Sequence, residues 1–430
     1  MTGAVALNKI ENTVISGLRN NAINANSNAL TNVAEKTGAL IAAAPSLSVQ
    51  ASGGEGKKNF SGAASASVSI AQNTVGAELE NNQAQNLSSL TNKAENRDTQ
   101  IVGGINLSIA TGGNKGTAVG GSASFAHLKN DIHATIDKGA YTVAGDFANT
   151  ATTSTNQIVG SVGVSVATGT ESSYGFQGVL AYNRIANKDF ATIKGATVNA
   201  SGKFDNVAQD FKVDGDKKHD AFLSKAGLDV NGQSYADEAS VSKSDETLNV
   251  AKNQTANESD AQTFNAETSD AKTKTSNYGN KIITAALAVS ASGDGSGMAS
   301  LAISDIDNDF ESVIEGSTIE GGNSPKNIHA ESNTLDINAA AGAAVSSKGF
   351  GAGGSISWQT TDNTVKAGID STNGKHSGLD VNALSNAFEV NVAGQLSAGK
   401  GTALGLSLAY NALNDSTDAF IKNGDFTKGE

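Results

Sequence analysis

The sequence predicts an all-β chain folded as a parallel β-solenoid, built from repeats of about 57 residues and carrying one polar insertion. Three observations predict it: a recurring Asn-led signature, a glycine-closed signature on the same beat, and a composition too poor in bulky side chains for a thick core. The first signature, Asn-x-apolar-x-small-x-apolar, occurs as "NTVISGL" from Asn12, "NTVGAEL" from Asn73, "NDIHATI" from Asn130, "NDFESVI" from Asn308 and "NTVKAGI" from Asn363. Looser copies are "NKDFATI" from Asn187 and "NDSTDAFI" from Asn414. The starts are 61, 57, 57, 121, 55 and 51 residues apart, so the long gap reads as two periods. Self-similarity at a fixed period of this length is the mark of a repeat architecture.

The second signature ends at Gly53 ("SLSVQASG"), Gly112 ("NLSIATG"), Gly169 ("GVSVATG"), Gly293 ("LAVSASG") and Gly349 ("AAVSSKG"), with a shortened "GQLSAG" ending at Gly399. A brief break and a further alternating run follow each copy, such as "SASVSI", "SASFAHL" and "SISWQTT". The unit is therefore strand, turn, strand. In "INLSIATGGNKGTAVGGSASF" (residues 105–125) the glycines around Lys115 and Thr117 suggest a phosphate loop. That loop needs Gly-Lys-Ser/Thr leading into a helix; here Lys115 precedes Gly116 and a strand follows. The glycines are expected to serve tight turns and close stacking of neighbouring coils.

Side chains alternate between the faces of a strand. Asn363, Val365, Ala367 and Ile369 are thus expected inside, with Thr364, Lys366 and Gly368 outside. The leading Asn has two structural readings, an amide ladder through the stack or the left-handed position of a turn.

The composition bounds the core. Hydrophobic residues make up 38%, aromatics 5%, with 48 Gly, two Pro, one Trp and no Cys among 430 residues. Tandem stacking around a thin core of Val, Ile, Leu and Ala suits such a chain. An immunoglobulin sandwich needs about 100 residues per unit, and propeller blades are shorter than the period seen here. If each repeat supplied two or three coils of ~4.8 Å, seven would form a rod roughly 70–100 Å long.

Three segments follow: solenoid repeats over 1–204, a polar insertion or irregular repeat over 205–276, and solenoid repeats over 277–430. Within the insertion, 213–244 leaves the beat, and "KKHDAFLSKAG" suits a short helix on an excursion that could hold a specific contact. Lys217, Lys218 and Lys225 are its expected tryptic sites. "NQT" at Asn253 and "NES" at Asn257 look like glycosylation triplets, which so Asn-rich a chain yields by chance.

A net charge of −13 argues against nucleic acid as partner, which needs a basic stripe. No apolar run is long enough for a membrane-spanning helix, and "MTGAVALNKIEN" lacks the features of a signal peptide. Both ends fall inside a repeat, so the chain reads as a piece of something longer. The histidines, His127, His133, His219, His329 and His376, show no H-x-x-x-H pair and have no Cys to complete a zinc set. His133 is expected on the outer face, solvated beside Asp131 and Thr135. Asp305, Asp307 and Asp309 would project together from a strand but lack the Gly and distal Glu of a calcium loop. No catalytic, metal or cofactor-binding residue is assigned, and no enzyme or cofactor is expected. Trp358 stands without clustered aromatics, against a glycan-cleaving β-helix.

Runs such as "GGSISWQTTDNTVKAGI" and "SASVSIAQNTVGAEL" resemble the repeats of leukotoxin-type filamentous adhesins, large exoproteins of Gram-negative bacteria related in architecture to filamentous haemagglutinin. The resemblance covers nearly the whole chain except about 205–275. It implies a right-handed β-helical stalk, secreted or held at the cell surface, exported through an outer-membrane partner and attaching to a host or bacterial surface receptor or glycan. The absence of Cys agrees with export as an unfolded chain. Part of a leukotoxin-like cytotoxin is the alternative, and a β-helical glycan-active enzyme a remote one. No membrane-active amphipathic stretch is present to favour the cytotoxin.

Overall fold

The computed structural model describes residues 1–51, 56–210, 279–322, 326–376 and 378–428. Long strands dominate, and no helix forms among the described residues. One sheet, A, contains β1 (Thr2–Arg19), β4 (Lys58–Leu87), β6 (Lys115–Val143), β8 (Ser172–Lys194), β12 (Gly295–Glu315), β15 (Phe350–Asp370) and β18 (Thr402–Lys422), stacked in that order. Short strands β2 (Ala22–Asn24), β9 (Thr197–Ala200), β13 (Thr318–Glu320), β16 (Asn373–His376) and β19 (Asp425–Lys428) continue it around a corner. The other sheet, B, stacks β3 (Leu30–Ala51), β5 (Leu90–Thr111), β7 (Phe147–Ala167), β11 (Asn280–Ser292), β14 (Lys326–Ser346) and β17 (Leu379–Gly399). Beside β11, β10 (Phe204–Asp210) also pairs with both β7 and β14. Every pairing is parallel, which joins the described strands into a solenoid-like stack.

The register supplies the coil count that the sequence leaves open. Lys58 opposes Lys115, which opposes Ser172, and Leu90 opposes Phe147. The same pairings set Asn73 beside Asn130, Asn130 beside Asn187 and Asn92 beside Asn149, each pair 57 residues apart. One such step therefore supplies one rung, with a single long strand in each sheet, rather than two or three coils. Seven strands of sheet A at ~4.8 Å rise only about 29 Å, whereas 21 residues along a strand extend about 70 Å. The long dimension lies across the stack.

The 121-residue gap is corrected. Asn187 opposes Asn308 directly, so no rung stands between β8 and β12. Sheet B shows how the register survives: Asp210 opposes Thr153 and Asn280 opposes Thr155, so β10 and β11 are two parts of one rung. Residues 211–278 separate these parts. The excursion expected over 213–244, with Lys217, Lys218, Lys225 and His219, and Asn253 and Asn257, lies outside the described residues.

Each rung turns its corner through a left-handed residue: Asn20, Asn81, Lys138, Gly195, Gly316, Ser371 and Asn423, with φ between 49° and 60°. After Lys138, Gly139 has φ 95°, and a Cβ there would stand 2.3 Å from the Asn82 carbonyl oxygen. At the opposite end, Gly112 and Gly113 have positive φ, and Asn114 N–H donates to Lys57 O at 3.0 Å. The glycines of residues 105–125 thus form a turn stacked on its neighbour.

The interior changes character along the rung. Near the corner it is bulky and apolar, with Leu79, Leu90, Tyr141, Phe147, Phe204 and Phe310 fully buried. The expected inward set holds: Asn363, Val365, Ala367 and Ile369 are buried and Thr364 is exposed. Gly368, expected outside, is covered by the Phe420 ring.

Toward the glycine turns the pattern inverts. There most inward side chains are Ser, Ala, Gly, Asn and Gln, joined by Val102, Val159, Val179 and Met298, and the sheets approach closely enough for cross-sheet bonds, such as Ser67 Oγ to Gly103 O at 2.6 Å and Ser124 Oγ to Gly160 O at 2.8 Å. The outward side chains are apolar. On sheet B the aligned segments are "IAAAPSLSV" from Ile41, "IVGGINLSI" from Ile101, "IVGSVGVSV" from Ile158, "ITAALAVSA" from Ile283, "INAAAGAAV" from Ile337 and "VNVAGQLSA" from Val390. Their first, third, fifth, seventh and ninth residues face outward, and none is polar. The expected thin core of Val, Ile, Leu and Ala is therefore bulkiest in the corner half and continues beyond it mainly as Ala, with Val102, Val159 and Val179.

Candidate functional site

In-register stacking turns each strand position into a column running up the stack. The leading Asn is one such column: Asn12, Asn73, Asn130, Asn187, Asn308 and Asn363 pass side-chain amide bonds upward, including Asn73 to Asn130 and Asn130 to Asn187 at 2.8 Å. Of the two readings the ladder is the one adopted; other residues take the left-handed corners. The last copy shifts by one, because Asp415 rather than Asn414 accepts from Asn363, at 2.7 Å. A second ladder on sheet B links Asn32, Asn92, Asn149 and Asn206. Its sequence signal was the recurrence of Asn at steps of 60, 57 and 57, obscured by the abundance of Asn. Both ladders are internal and structural.

Inside the sheets lie carboxyls held far from their ordinary range. Asp189 and Asp210 are buried, and burial pushes both well above the usual carboxylate range. Asp210 is partly relieved by Asn333 and by Asn280, whose Nδ2 donates at 2.6 Å. Neither Asp189 carboxylate oxygen has a hydrogen-bond partner. Burial raises Asp336 to about 8. Perturbed acids are common at active sites, but these three side chains lie between the sheets rather than in an open cleft.

The outer face of sheet A presents a more accessible arrangement. Successive rungs place Leu7, Val68, Phe125, Tyr182, Ile303, Trp358 and Tyr410 in one outward column. Trp358 and Tyr410 stack with ring centroids 4.1 Å apart, and Phe125 lies 6.3 Å from Tyr182. Both Trp358 and Tyr410 are about two-fifths exposed. A parallel column nearer the turns carries Phe60, Tyr174 and Phe350. The expectation that Trp358 has no aromatic cluster is thus corrected: Phe125, Tyr182, Trp358 and Tyr410 belong to four different rungs, and only the register gathers them.

Beside the first column runs a polar one holding His127, Arg184, Asp305 and Thr360. Arg184 Nε is 3.4 Å from Asp305 Oδ2, and Thr360 Oγ1 donates to Asp305 Oδ1 at 3.1 Å. Burial, aided by Arg184 and Lys129, lowers the His127 pKa and favours its neutral form. Exposed rings bordered by fixed donors and acceptors suit a ligand with apolar faces and hydroxyl edges.

The remaining candidates are placed apart. His133 faces outward, but it is paired rather than freely solvated: its ring nitrogens lie 3.3 Å from Glu78 and 3.5 Å from Asp131. Asp131, then Glu78, raises its pKa against the effect of burial. His329 bonds Glu331 at 2.8 Å, and His376 lies in β16. Asp305 is committed to Arg184 and Thr360, Asp307 is exposed, and Asp309 is half-buried with its pKa raised by burial. No group of three or more His, Cys, Asp or Glu able to hold a metal occurs among the described residues. Comparison with family models, curated proteins and solved structures gives no match.

Proposed function

We propose that this chain is a stalk segment of a large adhesin-like exoprotein, secreted or displayed at the bacterial surface, that attaches through the aromatic face of sheet A. The stalk is a right-handed parallel β-solenoid of repeats of about 57 residues with one polar insertion. Its parent leaves the cell through an outer-membrane partner, and its ligand is a cell-surface receptor or glycan. Its action is binding, without catalysis or cofactor. The observation carrying this reading is the outward column Phe125, Tyr182, Trp358 and Tyr410 beside Arg184 and Asp305. A stiff stack holds these rings in fixed register before any ligand arrives, which limits the ordering cost of binding. Binding to a glycan array and to whole cells should be lost or fall at least tenfold in Trp358→Ala and Tyr182→Ala, with the β-sheet circular dichroism retained. Equal binding by wild type and both variants would refute this assignment.

A further inference from the structure

The apolar outer face of sheet B has no partner among the described residues, although water is a poor neighbour for it. It consists of six strands and nine residues per strand, without a charged side chain over residues 41–49 and the aligned segments. At ~4.8 Å between strands and ~3.3 Å per residue it covers on the order of 900 Å². Monomeric proteins seldom expose continuous apolar patches beyond a few hundred Å². Leu47, Val49 and Ile105 are each more than half exposed.

The relief of this face is regular. One outward column contains Gly103 and Gly160, where an added Cβ would have open space. To one side rises the column of Ile101 and Ile158, and to the other the column of Ile105, Val162 and Leu287. Over β5, β7 and β11 a groove of small residues therefore runs between two ridges of branched ones, while on β14 and β17 the same ridge column holds Ala341 and Gly394 and Val392 stands in the groove column.

We propose that this face is a self-association surface, on which a second copy of the chain packs sheet against sheet. A two-fold axis running along the stack, midway between the groove and the Ile105 ridge, exchanges the two columns. Each copy then lays its ridge into the other's groove, as an isologous interface requires. The available area matches the roughly 800 Å² per partner of a standard stable interface.

The test is sedimentation equilibrium of the full chain at tens of micromolar, alongside flotation with phosphatidylcholine vesicles. The wild type is expected to sediment as a dimer and to remain unbound by vesicles. Ile105→Lys and Leu287→Lys alter outward residues only, and each should weaken dimerisation at least a hundredfold while leaving the far-UV spectrum unchanged. Leu301→Lys, on the outer face of sheet A, should remain dimeric. A monomeric wild type overturns the proposal, as does a dimer that persists in both sheet B variants. A monomer that floats with vesicles also overturns it and assigns the face to lipid. Should Ile105→Lys fail to fold, Val49→Lys at the terminal strand gives the same reading.

Discussion

Asp336 gives the interior a pH dependence that a single substitution should remove. Its carboxyl lies on the inward face of β14 and is fully buried. Burial, with a smaller contribution from Glu389, raises its pKa from 3.8 to about 8, and neither carboxylate oxygen has a hydrogen-bond partner. The folded state thus holds this proton more tightly than the unfolded chain does. Stability from this group is complete below about pH 4 and declines as pH rises toward 8. At 1.36 kcal/mol per unit, the loss between pH 5 and pH 8 is about 3–4 kcal/mol. Asp336→Asn keeps the shape and removes the charge. Urea denaturation followed by far-UV circular dichroism at several pH values should show the variant gaining on the wild type by that amount. A difference between the two that stays constant from pH 5 to pH 8 would refute the reasoning.

The amide ladder and the face assignment give further expectations. Asn130→Ala breaks the bonds to both Asn73 and Asn187 and should cost about 2–4 kcal/mol in the same denaturation assay. Val75→Asp and Ile369→Asp place a charge among fully buried side chains and should abolish cooperative folding, whereas Lys366→Glu, half-exposed on the outer face, should shift stability by less than about 1 kcal/mol.

Much of the inward pattern was legible because Asn-x-apolar recurs along the chain, and Val75, Ile132 and Val365 share one buried column. The coil count was not legible. Alternation specifies two faces of a strand but not its length, and serine and glycine conceal the continuity of strands such as β5. Nor does alternation say which face is inside. In "NLSIATG" the serine points inward and Leu107 and Ile109 point outward, a choice decided by how closely the sheets approach. Cross-sheet hydrogen bonds from Ser108 and its neighbours satisfy the polar groups of that interior. The aromatic column was hidden for a different reason: its members occupy equivalent positions in separate rungs, and no short motif contains two of them.

The central claim, one rung per repeat, is tested most directly by a distance. The chain has no native Cys, so spin labels can be attached at Glu11→Cys and Asp362→Cys, both exposed and in the same outward column. Five ladder steps separate them, through β4, β6, β8 and β12. Double electron–electron resonance should give a distance centred near ~24 Å, five spacings of ~4.8 Å. Two or three coils per repeat would place the labels roughly 50–70 Å apart, and a distribution centred there would contradict the account.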